Sequence, residues 1–162
     1  MSVFQTMRDF APLEVVPTTE MDILRENIQY LHSPNFARNA VSGTFNVATT
    51  VWTKVSATID TVIESTGGLW TVMVSIPLSA IASPTGQYFL DLFIDGVAAG
   101  DVTYGSRVLT FGEVGSYITF QHMLVLSSGA HTLSIYARNA SGTPTVTYGV
   151  VNGFTVIQAK ES

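Results

Sequence analysis

The chain of 162 residues has no cysteine, which excludes disulfides and thiolate metal sites. Charge is scarce too. Asp, Glu, Lys and Arg make up 12% of the residues against 46% apolar, roughly half the usual charged share. Disordered chains lean the other way on both counts, so the body should fold. The net charge of −5 comes from scattered carboxylates, and no basic stripe offers itself to phosphates, which argues against nucleic acid as a partner. No apolar run approaches the roughly 18 residues that a membrane span needs. Residues 1–30 lack a basic stretch followed by an apolar one, so no signal peptide is expected. Nor is there a Gly-x-Ser-x-Gly elbow, a Gly-x-Gly-x-x-Gly turn or a P-loop, and no repeat of 20–50 residues. A non-enzyme without a cofactor is the expectation.

What is present, from residue 41 onward, is alternation of apolar and polar positions broken by Gly, Asn, Asp, Ser and Pro. Val51, Val55, Ala57, Ile59 and Ile63 share one phase; Trp70, Val72, Val74, Ile76 and Leu78 share another. Each set reads as a half-buried strand by period two, and Gly67-Gly68 between them reads as a hairpin turn. Tyr88–Ile94 is apolar on nearly both faces, which predicts a central or covered strand. Asp95-Gly96 is a strong turn signal after it. Shorter strands are expected at 97–102 and 107–111, a pair at 117–126 and 130–138 across Ser127-Ser128-Gly129, and two more at 143–151 and 154–159. The prediction is an all-β fold, a jelly-roll-like antiparallel sandwich of about eight to ten strands over 41–162.

Residues 1–40 read as an N-terminal arm. Thr18 and Thr19 offer caps, Asp22 follows Thr19 by three, and Met21, Leu24, Ile28 and Leu31 fall on one stripe. This predicts a helix over about 19–32, stopped by Ser33-Pro34. Such a helix is marginal alone, so the stripe is expected to anchor the chain on a partner.

The run from Val15 to Leu31, with Leu24-Arg25-Glu26-Asn27 and Tyr30-Leu31, resembles a Thr-capped helix near the N-terminus of many tailed-phage virion proteins. The phrase Leu126–Ile135 is similar to a turn and strand of trimeric C1q-like sandwiches. The resemblance implies a virion surface part assembled in the host cytoplasm: a capsid decoration, tail appendage or fibre tip, trimeric, held to other virion proteins by its arm.

Candidate chemistry is thin. His32, His122 and His131 lack zinc spacing, and Asp91, Asp95 and Asp101 lack the oxygen density of a calcium loop, so no metal site is expected. Asp60 and Glu64 read as a solvated strand face rather than a glycosidase pair. Among the aromatics, Trp70 is in phase with the core, whereas Trp52 and Tyr104 are the candidates for exposed binding contacts. They support the alternative reading, a carbohydrate-binding module or adhesin that recognises host-surface glycans by aromatic stacking.

Overall fold

A computed structural model of the chain describes residues 35–162 apart from 84, 151 and 152. The predicted helix, with Met21, Leu24, Ile28 and Leu31, lies outside the described residues. Ten strands form: β1 (Phe36–Ser42), β2 (Phe45–Val47), β3 (Thr53–Lys54), β4 (Thr61–Ile81), β5 (Tyr88–Ile94), β6 (Val97–Ala98), β7 (Arg107–Leu109), β8 (Tyr117–Asn139), β9 (Val146–Tyr148) and β10 (Phe154–Glu161). All pairings are antiparallel, in the order β1-β10-β4-β8-β5-β6, with β2 and β9 against the end of β4, β3 on β8 and β7 on β5. The fold is all-β and jelly-roll-like.

The frame is one long ribbon, β4 against β8, in a continuous register from Thr61↔Leu133 to Pro77↔Tyr117. Gly67-Gly68 does not turn the chain, nor does Ser127-Ser128-Gly129; both segments lie inside strands, opposite one another. What changes there is the face that is buried. On β4 the buried residues are Thr61, Ile63 and Ser65 before the glycines and Trp70, Val72, Val74 and Ile76 after them. On β8 they are Ile118 and Leu126 before the matching level and Leu133, Ile135 and Ala137 after it. Odd phase becomes even on one strand and even becomes odd on the other, so the ribbon rolls about its axis. Each half can then present its apolar face to one shared core from the opposite side. Gly67 sits at φ +95 and Gly129 at φ +130, the left-handed region where a side chain would be strained.

A buried polar cluster pins the roll. Glu161, at the end of β10, accepts hydrogen bonds from Thr66 N (3.0 Å), Thr66 Oγ1 (2.8 Å) and Ser65 Oγ (3.4 Å). Ser65 Oγ in turn accepts from Trp70 Nε1 (3.0 Å) and Gly67 N (3.1 Å). Trp70, Tyr88 and Tyr148 are the largest side chains sealed in the core. Burial pushes the Tyr148 hydroxyl well above its ordinary pKa.

The expected strand over Val51–Ile63 is shorter than its alternation suggested. Val51 is exposed, β3 holds two residues, and Ala57–Ile59 make a 3-10 turn capped by Ser56. Tyr88–Phe93 is buried on both faces, as its composition predicted, and Asp95-Gly96 makes the β5–β6 turn with φ of +52 and +85.

Candidate functional site

Phe89, Asp91 and Phe93 leave β5 on the side away from Leu90 and Leu92, and Tyr136 and Arg138 leave β8 beside them. Phe93 stacks on Tyr136 with ring centroids 4.0 Å apart, and Trp52, just before β3, tilts against Phe93 at 5.9 Å. Lys54 Nζ lies 6.0 Å from the Tyr136 ring and 2.8 Å from Asp60, whose other oxygen accepts from Ser134 Oγ at 2.8 Å. The hydrogen bond to Asp60 raises the Lys54 pKa.

Arg138 is the hub. Its guanidinium lies 5.2 Å from the Trp52 ring centroid and 5.1 Å from that of Phe89. It donates to the carbonyls of Thr50 (3.4 Å) and Thr103, so one side chain holds loops 48–52 and 99–106 together. Trp52 Nε1 adds a bond to Val102 O at 3.1 Å. No carboxylate pairs with Arg138 among the described residues, and its Nε is buried without an acceptor there.

The 99–106 loop is stiff in its own right. Asp101 Oδ1 accepts from Thr103 N and Tyr104 N, both at 2.8 Å, and Gly105 N donates to Asp101 O at 2.7 Å. Gly105, at φ +66, lies so close to the sheet that a Cβ would fall 2.6 Å from Trp52 and 2.5 Å from Leu90 O. The loop therefore lies flat on Trp52 and presents Tyr104 (56% exposed) and Val102 (77% exposed) outward, with the Tyr104 ring edge-on to Phe89 at 5.9 Å. Trp52 and Tyr104 are thus brought into one corner: Trp52 is half-buried as a buttress and Tyr104 is its exposed ring. Sequence reading missed Arg138. Its one signal was a cation in the outward phase of an otherwise apolar strand.

Asp91, fully buried, accepts from Leu92 N (2.8 Å), Gly100 N (3.0 Å) and Ser106 Oγ, and Ser106 Oγ lies 2.5 Å from His122 Nε2. Burial raises the Asp91 pKa against those hydrogen bonds. A nucleophilic serine needs its proton taken by the histidine and the carboxylate behind that histidine. Here serine stands in the middle and gives its proton to Asp91, so the arrangement ties the loop to β8 rather than activating an oxygen. His122 and His131 lie on the same strand, not across a hairpin. Asp91, Asp95 and Asp101 are engaged separately, and no three such groups gather to hold a metal among the described residues.

His131 Nδ1 and Asp95 Oδ2 are 2.7 Å apart. The Asp95 hydrogen bond raises the His131 pKa, and the Thr132 N–H, then His131, lower that of Asp95. The histidine contribution is complete below its unfolded value of 6.5 and is lost as pH rises through the folded one. The aspartate contribution is present above 3.8 and is lost as pH falls through its folded value. The stability gap between wild type and His131→Ala should therefore be widest between those limits and close on both sides, by about 0.5 kcal/mol for so exposed a pair. Chemical denaturation across pH measures it; a pH-independent gap would contradict the pairing.

No family model matches the chain, and no curated protein matches it in sequence. Solved structures do. The Eiger TNF of S. frugiperda is 15% identical over 80% of this chain and 94% of its own, with a TM-score of 0.43. The C-terminal domain of EclA, described as a sugar-binding protein, is 13% identical over 90% and 99%, at 0.40. A carbohydrate-binding module of a Cellvibrio mixtus lichenase, solved with cellotriose, is 12% identical over 76% and 87%, at 0.33. At such identities and scores the likeness concerns the β-sandwich alone and assigns no ligand.

Proposed function

We propose that the chain is a non-enzymatic recognition domain that binds surface glycans at the Trp52–Tyr104–Arg138 corner. The observation that carries this reading is the rigidity of the corner: an exposed aromatic ring on a loop held from below by Arg138, Trp52 and Asp101. A sugar ring offers apolar C–H faces and polar rims. A preordered aromatic with Thr103, Asp101 and free loop backbone beside it meets both at small entropic cost. The surrounding exposed aliphatics, Val51 and Val102, widen the apolar shelf. Placement on a virion surface rests on the resemblance of residues 15–31, which lie outside the described residues, and the corner does not depend on it.

Titration of the full chain with soluble cello-, xylo- and chito-oligosaccharides tests the reading. Saturable binding by one class, weakened about tenfold or more by Tyr104→Ala, is the expected result, equivalent to about 1.4 kcal/mol. Binding unaffected by that substitution would place the site elsewhere.

A further inference from the structure

The lane beside the first half of β8 is empty. β5 follows β8 only from Leu133 to Asn139, then turns back at Asp95-Gly96. From Tyr117 to Leu126, β8 pairs with β4 on one side and, among the described residues, with no strand on the other. Natural edges of this length are blunted by charge, proline or a bulge, because unpaired N–H and C=O groups recruit another strand. The segment Tyr117-Ile-Thr-Phe-Gln-His-Met-Leu-Val-Leu126 carries no Lys, Arg, Asp, Glu, Pro or Gly, and its pairing with β4 runs without a shift. Met123 (64% exposed) and Val125 (82% exposed) stand bare on its outer side.

We propose that two copies of this chain pair antiparallel along this edge, about a two-fold axis through His122, to make one continuous sheet. A second copy fits where other partners fit less well. The chain carries −5 overall, so self-association needs a surface free of carboxylates, and this edge has none. Two-fold pairing sets Thr119 opposite Val125 and Gln121 opposite Met123, with no like charges facing. On the inner side it sets Phe120 of the second copy opposite Leu124. There the first copy has an open groove of about 440 Å3 lined by Ile94, Val97, Ala98, Ala99, Leu124 and Leu126, among others. Phe120 is half-buried in its own subunit, and the groove covers the part that remains open.

Light-scattering mass of the purified full chain provides the test. Wild type should run as a dimer, and Thr119→Lys with Val125→Lys should halve the mass without shifting the thermal melt. Gln158→Lys, on β10 away from this edge, should stay dimeric. Should the double variant unfold, Val125→Lys alone, at an open surface position, gives the same readout. A monomeric wild type, a trimer such as the phage resemblance implies, or a dimer that survives the lysines would each overturn the proposal.

Discussion

Glu161→Ala is expected to lower stability by about 3 kcal/mol, near 10 °C in melting temperature for a domain of this size. The carboxylate is 6% exposed and holds Thr66 N, Thr66 Oγ1 and Ser65 Oγ at the level where the ribbon rolls. Removing it strands buried donors, and a buried unpaired donor costs more than the bond itself contributes. Ser65 also supports Trp70 Nε1 and Gly67 N, so the loss extends to the core tryptophan. Glu161→Gln keeps an acceptor oxygen and should lose about a third as much. The check is thermal unfolding followed by the near-ultraviolet signal of Trp70. Equal melts for wild type and the alanine variant would mean that the roll holds without its clamp.

The roll is also where sequence and structure diverge most instructively. Gly67-Gly68 and Ser127-Ser128-Gly129 carry the composition of turns, and local propensity reads them so. In the fold the same freedom at positive φ lets a strand rotate its buried face while staying paired. The signal was in the phase. Ile63 and Trp70 lie on opposite parities, as do Leu126 and Leu133, with β-forming residues up to the glycines on both sides. Two phase reversals at positions that face each other mark one long ribbon, whereas two hairpins need no such match. By contrast, the two-sided burial of Tyr88–Phe93 and the Asp95-Gly96 turn were legible, because they depend on composition and φ at single positions. The site was half legible. Trp52 and Tyr104 stood out as aromatics beside turn residues, but the partner that unites them, Arg138, is 34 positions from Tyr104 and 86 from Trp52. Only β-pairing brings it there.

Arg138→Ala is the second large effect, expected at about 3 kcal/mol, with loss of glycan binding. The guanidinium lies against the Trp52 and Phe89 rings and donates to two loop carbonyls. Cation–π contacts contribute about 0.5–2 kcal/mol and charged hydrogen bonds about 1.5–3 each. The truncation would leave a hole under Trp52 and two loops free to part. Arg138→Lys keeps charge but not the planar fork, so it should fall between. Limited proteolysis separates local from global damage: cleavage should concentrate within 48–52 and 99–106 in the alanine variant, while the β4–β8 ribbon stays protected. Cleavage spread over the whole domain would mean that Arg138 supports the core and not the corner.

The chain contains two tryptophans, and they divide the question between them. Trp70 is sealed in the core at 1% exposure, whereas Trp52 is half-buried at the corner. Intrinsic fluorescence of the full chain titrated with cello-, xylo- and chito-oligosaccharides therefore reports on the corner directly. The account predicts a saturable change that disappears in Trp52→Phe and shifts to higher concentration in Tyr104→Ala. A change that persists in Trp52→Phe, or no response to any of the sugars, would contradict glycan recognition at this corner.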